Sequence, residues 1–132
     1  MIAPMSAPAA QRKTIMVVED NVELRFLVSE VLRAEGFRVI EASTVDEALA
    51  FLRTPNEVVA LVFSDIVMPG KMDGVAFAEL LQREYPGVCI ILTSGKVAPE
   101  AVPPNIRMIK KPYFLARVVS EVKQALGLEL KA

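Results

Sequence analysis

The fold is decided by residues 58–63, VVALVF, which are followed at once by Ser64 and Asp65. This run is short, continuously apolar and rich in β-branched residues, without the alternation of a half-buried strand. Such runs are typical of central strands in a parallel sheet whose two faces are both covered by helices. We therefore predict a central strand here, with a carboxylate just beyond its end.

Four further runs have the same or a weaker strand character. Ile15–Val18 and Val88–Leu92 are equally apolar, Phe37–Ile40 is weaker, and Ile106–Ile109 is marginal. Between these runs, apolar residues recur at the spacing of a helix that packs on one side. The four helical stripes are Leu24, Leu27, Val28, Val31 and Leu32; Val45, Ala48, Leu49 and Leu52; Ala76, Phe77, Leu80 and Leu81; and Leu115, Val118, Val119, Val122 and Leu126.

Capping residues delimit these stripes. Ser43 or Thr44 can begin the second helix, whereas Gly36 and Gly127 can end the first and the last. The resulting order is β-α-β-α-β-α-β-(short)-β-α, and right-handed crossovers make it an open, doubly wound α/β fold with five parallel strands. In such sheets ligands bind beyond the carboxyl ends of the strands, where the strand order reverses.

The segment Gly95–Asn105 departs from this pattern because it contains Pro99, Pro103 and Pro104. Proline inside a helix costs about 3 kcal/mol, so we predict that the helix between the last two strands is short or missing. A length of 132 residues predicts one domain. We assign it to residues 14–127, after a disordered lead-in over residues 1–13 and before a tail over residues 128–132.

Composition excludes several classes of function. The chain has no histidine, which rules out imidazole bases, histidine metal ligands and a phosphohistidine on this chain. Its single cysteine, Cys89, rules out an internal disulfide and multi-cysteine metal sites. A net charge of −1 argues against a nucleic-acid partner, and no apolar run is long enough to span a membrane.

Polar side chains follow several of the predicted strands. Glu19 and Asp20 follow the first strand, Asp65 the third, Thr93 the fourth and Lys111 the fifth. Each has an ordinary structural interpretation, as a helix cap, a turn residue or a solvated lysine. Three clustered carboxylates repel one another, however, and a bound cation would offset that repulsion. We therefore predict a site for a hard divalent ion such as Mg2+, beside a carboxylate that can attack a phosphoryl group.

These residues resemble the response-regulator receiver domain of two-component signalling over roughly residues 13–127. The most specific stretch is Asp65-Ile66-Val67-Met68-Pro69-Gly70, followed by Met72-Asp73-Gly74. The resemblance implies a flavodoxin-like fold, with Asp65 as the phosphoacceptor and Mg2+ as the cofactor. Its metal ligands would be Glu19, Asp20, Asp65 and the backbone carbonyl of Val67.

The resemblance also implies how the domain signals. A histidine kinase or phosphotransfer protein would supply the phosphoryl group, Thr93 would be the switch hydroxyl, and Lys111 would pair with the phosphoryl oxygens. A downstream protein partner would then read the altered surface, and both partners imply a cytoplasmic protein. The family's aromatic switch position is Met108 here, which departs from the pattern.

Three alternatives are less well supported by the residues. A phosphatase of the haloacid dehalogenase type would need an aspartate where this chain has Val67. A flavodoxin-like cofactor module would need a phosphate-binding loop where Glu19 and Asp20 stand. A passive pseudo-receiver stays open because the proline-rich segment alters the usual relay surface. We expect a phosphoacceptor and not an enzyme, whether a stand-alone regulator or a part of a larger protein.

Overall fold

The computed structural model describes residues 12–70, 72–95, 102–103 and 105–128. These residues form five strands and four helices, which alternate along the chain except that β4 and β5 follow one another with no described helix between them. The strands are β1 (Thr14–Val18), β2 (Arg38–Ala42), β3 (Leu61–Asp65), β4 (Cys89–Ser94) and β5 (Arg107–Lys110). The helices are α1 (Val22–Ala34), α2 (Val45–Leu52), α3 (Gly74–Glu84) and α4 (Leu115–Ala125).

All strand pairs are parallel, in the order β2-β1-β3-β4-β5. Alternate residues of the strands point into two separate apolar clusters, as Ile15 and Met16 illustrate. Helices α1 and α4 cover one face of the sheet, and α2 and α3 cover the other. The predicted doubly wound parallel fold is confirmed, and the strand order reverses between β1 and β3, where a site is expected.

Local capping explains where the helices begin. The side chains of Asn21, Thr44 and Asp73 each accept a hydrogen bond from a backbone N–H in the first turn of α1, α2 and α3 respectively. Thr44, and not Ser43, is therefore the N-cap of α2. Gly36 and Gly127 follow the ends of α1 and α4 with positive φ angles, as the sequence predicts.

The predicted strand limits need correction. The third strand runs over Leu61–Asp65, and Val58 is 79% exposed ahead of it, so an apolar run alone does not define a strand. Asp65 and Thr93 are consequently strand residues and do not follow their strands. In α1, Leu27 belongs to the predicted apolar stripe but is 49% exposed.

The predictions that fall on the chain termini and on the proline-rich segment lie largely outside the described residues. These are the lead-in before Arg12, the tail after Leu128, and residues 96–101 and 104 of the shortened helix. In the described part of that segment, Val102 is buried against the α2–α3 side of the sheet, and the N–H of Ile106 donates to the carbonyl oxygen of Pro103. No helix in the described ranges is long and apolar enough to cross a membrane.

Candidate functional site

The sheet register explains why acidic residues meet at one edge. Val18 is paired with Ser64, so the residues after them, Glu19 and Asp65, emerge side by side from β1 and β3. Asp65 is in turn paired with Thr93 of β4. These side chains lie at the carboxyl edge of the sheet, where the strand order reverses.

Glu19, Asp20 and Asp65 form an acidic cluster, which we define by these residues. One carboxylate oxygen from each lies within 4.8 Å of the others. Glu19 and Asp65 are buried, whereas Asp20 is exposed to solvent. Burial raises the pKa of Glu19 and the Asp65 charge adds to this, although the Asn21 N–H and the Lys111 ammonium act in the opposite direction.

Lys111 is the cation that faces this cluster. Its Nζ lies 2.9 Å from Oδ2 of Asp65 and 3.3 Å from Oε1 of Glu19. Burial alone would lower the pKa of Lys111, but the hydrogen bonds and charges of Asp65 and Glu19 outweigh it and raise that pKa. The backbone N–H of Lys111 donates to the carbonyl oxygen of Ser94, which fixes the residue just after β5.

The carboxylates of the acidic cluster repel one another, and a bound hard cation would offset this repulsion. Among the described residues, three carboxylates face the Lys111 ammonium, so negative charge exceeds positive charge in this group. Carboxylate oxygens are the ligands that Mg2+ takes in proteins, usually one or two of them together with waters and phosphate oxygens. The donor set and the 4.8 Å spacing therefore fit a divalent ion with oxygen ligands.

Two buried hydroxyls adjoin the acidic cluster. Among the described residues, neither Thr93 Oγ1 nor the Tyr113 hydroxyl has a hydrogen-bond partner. The Tyr113 ring meets Phe63 edge-to-face, with centroids 6.2 Å apart. Burial, and then the charges of Glu19 and Asp65, raise the pKa of Tyr113 above its ordinary value. Thr93 follows Leu92 on β4, so its unpartnered hydroxyl lies at the same edge as Asp65.

A cavity of about 300 Å3 opens over this edge. It is lined by Asp20, Asp65, Val67, Ser94, Gly95 and Lys111. Met108 lies elsewhere, because its side chain packs against the cluster under α2 and α3, whereas its neighbour Ile109 packs under α1 and α4. The structure thus brings the predicted residues together except for Met108.

Gly74 fixes the start of α3 against the end of β3. A Cβ atom at this position would collide with the carbonyl oxygen of Asp65 and with the Cα of Ile66. The Gly74 N–H donates to the carbonyl oxygen of Ile66 at 2.8 Å, which holds the two segments in this close approach. Gly74 is named from the sequence only as part of the stretch that resembles the receiver domain.

Arg25 is a further residue near the acidic cluster that sequence reasoning did not select. Its guanidinium reaches from α1 to the backbone carbonyl of Glu19 and to the side chain of Glu41 on β2. The helical stripe of α1 gives no signal for it, because its partners come from other elements.

Comparisons with known proteins agree with this arrangement. The sequence model of the response regulator receiver domain matches residues 15–122. The nitrogen assimilation regulatory protein NtrX of Azorhizobium caulinodans is 32% identical in an alignment of 120 residues that covers 85% of this chain and 26% of that protein. The sensor kinase CckA of Brucella abortus is 31% identical in an alignment of 119 residues that covers 86% of this chain and 12% of that protein. The chain therefore spans only a minor part of the length of either relative.

Solved structures agree with the fold as well. The receiver domain of NtrX from Brucella abortus superposes with a TM-score of 0.76 at 30% identity, covering 87% of this chain and 99% of that chain. A receiver protein from Sinorhizobium medicae reaches a TM-score of 0.82 at 24% identity, over 90% of this chain and 98% of that chain, and supports the fold alone. On the sequence match and the shared architecture together, this chain belongs to the response regulator receiver domains of two-component signal transduction.

Proposed function

We propose that this domain is a phosphoacceptor whose Asp65 receives a phosphoryl group from a phosphohistidine of a histidine kinase or phosphotransfer protein. The observation that carries the proposal is the position of Asp65, buried at the end of β3 with Oδ2 2.9 Å from the Lys111 ammonium. An ionised carboxylate has no proton to lose, so it can act as a nucleophile without a general base. A mechanism that needs no general base suits a chain that has no histidine.

The transfer replaces one bond to phosphorus with another. A carboxylate oxygen of Asp65 forms a bond to phosphorus while the bond between phosphorus and the donor imidazole nitrogen breaks. The electron pair of the broken bond stays on the departing imidazole, and Asp65 becomes an acyl phosphate. Lys111 already lies against Asp65, so its ammonium can follow the new negative charge onto the phosphoryl oxygens.

We assign the Mg2+ site of the proposed function to Asp20 and Asp65 as direct ligands, to Glu19 through water, and to the backbone carbonyl of Val67. The spacing of the three carboxylates and the position of Val67 beside the same cavity support this assignment. When bound, the cation supplies positive charge that offsets the phosphoryl oxygens and the carboxylates. In the part of the chain that the structure describes, Lys111 contributes one positive charge against three carboxylates, so without the cation the acidic cluster would repel the donor.

Thr93 is the switch residue in this proposal. A buried hydroxyl without a partner is unfavourable, and a phosphoryl oxygen on the neighbouring Asp65 would give it an acceptor. Met108 occupies the position where the family has an aromatic switch, and its side chain packs against the apolar cluster under α2 and α3. The proposed signal therefore passes through Thr93 and the segment that follows β4, toward a downstream protein partner in the cytoplasm.

Phosphorylation of Asp65 can be tested directly. The protein is incubated with acetyl phosphate and Mg2+, and mass spectrometry measures an acid-labile gain of one phosphoryl group. We expect the parent to gain it and Asp65→Asn to gain none. Asp73→Asn is the matched control, because asparagine also caps helices well and the change leaves the acidic cluster intact.

Three results would contradict the proposal or a part of it. Full labelling of Asp65→Asn would move the phosphoacceptor to another residue. No labelling of a folded parent by acetyl phosphate or by any phosphohistidine donor would support the pseudo-receiver alternative instead. Labelling that persists after Mg2+ is chelated would remove the metal from the mechanism.

A further inference from the structure

Arg25 connects three elements at the acidic edge. It is the fourth residue of α1, and only 18% of its side chain is exposed. Its Nη1 donates to the backbone carbonyl of Glu19 at 2.8 Å, and its Nε donates to Oε1 of Glu41 on β2 at 3.3 Å. One side chain therefore joins the helix, the neighbouring strand and the turn that carries the acidic residues.

The carbonyl that Arg25 holds belongs to the peptide unit between Glu19 and Asp20. The chain on either side is fixed as well, because the Glu19 N–H donates to the carbonyl oxygen of Ala42 at 3.0 Å. The Asn21 N–H donates to Oε2 of Glu19 at 3.1 Å, and the Asn21 side chain caps α1. The Arg25 guanidinium adds a side-chain contact to this peptide unit, directly between the two Cα atoms that carry the carboxylates of Glu19 and Asp20.

Glu41 in turn holds the guanidinium in place. Its other carboxylate oxygen pairs with Nη2 of Arg33 at 3.0 Å, and Arg33 also binds Glu30 at 2.8 Å. Glu41 thus lies between two arginines of α1, which restricts its movement. Arg25 is the half-buried member of this network, whereas Glu30, Arg33 and Glu41 are exposed. Several linked charges order side chains better than an isolated surface pair does.

Building on the proposed function, we infer that Arg25 is a positioning residue for the acidic cluster. Its guanidinium, anchored by Glu41, fixes the peptide unit between Glu19 and Asp20 and so sets the direction of both carboxylates. Mg2+ demands near-ideal octahedral geometry, so a small reorientation of its ligands weakens binding. Groups that orient metal ligands typically contribute about 10–100-fold in metal affinity.

The test compares Arg25→Met and Arg25→Lys with Arg38→Met. Arg38 is the matched control, because it also pairs with a glutamate at 3.3 Å, Glu57, but does so away from the acidic cluster. Titration of Mg2+ alone is followed by amide chemical shifts, and the acetyl phosphate reaction is measured against Mg2+ concentration. We expect roughly tenfold weaker Mg2+ binding for Arg25→Met, an intermediate loss for Arg25→Lys, which cannot reach both partners, and no loss for Arg38→Met.

A positioning role also predicts which kinetic constant changes. The Mg2+ concentration for half-maximal labelling should rise, while the rate at saturating Mg2+ stays near that of the parent. Hydrogen exchange at the Asn21 amide should speed up in Arg25→Met even without Mg2+. Glu41→Gln should also weaken Mg2+ binding. The double variant Arg25→Met with Glu41→Gln should lose less binding free energy than the sum of the two single losses.

Parental Mg2+ affinity in a folded Arg25→Met or Arg25→Lys would overturn the inference, as would an equal loss in Arg38→Met. If the parent is not labelled at Asp65, the proposed function fails, yet exchange at Asn21 still decides whether Arg25 orders the turn. Unchanged hydrogen exchange at the Asn21 amide of Arg25→Met would overturn the role of Arg25, whether or not Asp65 is phosphorylated.

Discussion

At the scale of single residues, Tyr113 combines a favourable ring contact with an unfavourable hydroxyl. Its ring packs edge-to-face on Phe63, whereas its buried hydroxyl has no partner among the described residues. Tyr113→Phe keeps the ring contact and removes the desolvated group, so we expect the free energy of unfolding to rise by about 1 kcal/mol. Urea denaturation measures this as a higher midpoint at an unchanged slope. Tyr113→Ala, which removes the ring as well, should be destabilised, and a loss of stability in Tyr113→Phe would show that the hydroxyl has a partner.

The residues of the site differ in how well they can be predicted from the sequence. Asp65 and Lys111 follow from strand order alone, since the carboxyl ends of parallel strands meet at one edge. Arg25 cannot be predicted in this way, because its contacts are with residues of other elements. Tyr113 cannot either, because no sequence pattern indicates that a hydroxyl lacks a partner. Met108 was selected from the family pattern alone, and its side chain packs against the apolar cluster under α2 and α3.

At the scale of elements, the start of α2 depends on a reciprocal cap. Thr44 Oγ1 accepts from the Glu47 N–H, while Oε1 of Glu47 accepts from the backbone N–H and hydroxyl of Ser43. The hydrogen bonds from Ser43 lower the pKa of Glu47 below its usual range. A lowered carboxyl pKa stabilises the folded state above the pKa of the unfolded chain, and this stabilisation is lost as the pH falls through the folded pKa.

We therefore expect Glu47→Gln to destabilise the protein at neutral pH by more than Asp46→Asn does. Asp46 is the matched control, because it is an exposed acid in the same helical turn. The difference between the two variants should shrink as the pH falls through the lowered pKa of Glu47. Thermal denaturation at several pH values measures it, and a difference that does not depend on pH would contradict the cap.

Element types were easier to predict than element limits. The helical stripes and apolar runs identified every described helix and strand, because their periodicities differ. The limits of β3 were displaced because Val58 and Val59 are apolar like the strand, yet the sheet register begins only at Leu61. Pairing partners, which come from distant parts of the chain, decide where a strand begins.

At the scale of the whole molecule, the proposed Mg2+ site would make stability depend on divalent ions. A ligand that binds only the folded state stabilises it by mass action, by about 2.7 kcal/mol when its concentration is 100 times its dissociation constant. We expect Mg2+ to raise the melting temperature of the parent and chelation to reverse the change. Asp20→Asn should lose most of this response, whereas Asp73→Asn should keep it. An equal response in Asp20→Asn would place the ion elsewhere.

The contact of Gly74 with β3 has a mechanical consequence. With no side chain between them, the first turn of α3 and the end of β3 are joined backbone to backbone. The first turn of α3 and the end of β3 therefore move together, because neither can shift without displacing the other. A displacement of the backbone at Asp65 and Ile66 would therefore also displace the first turn of α3.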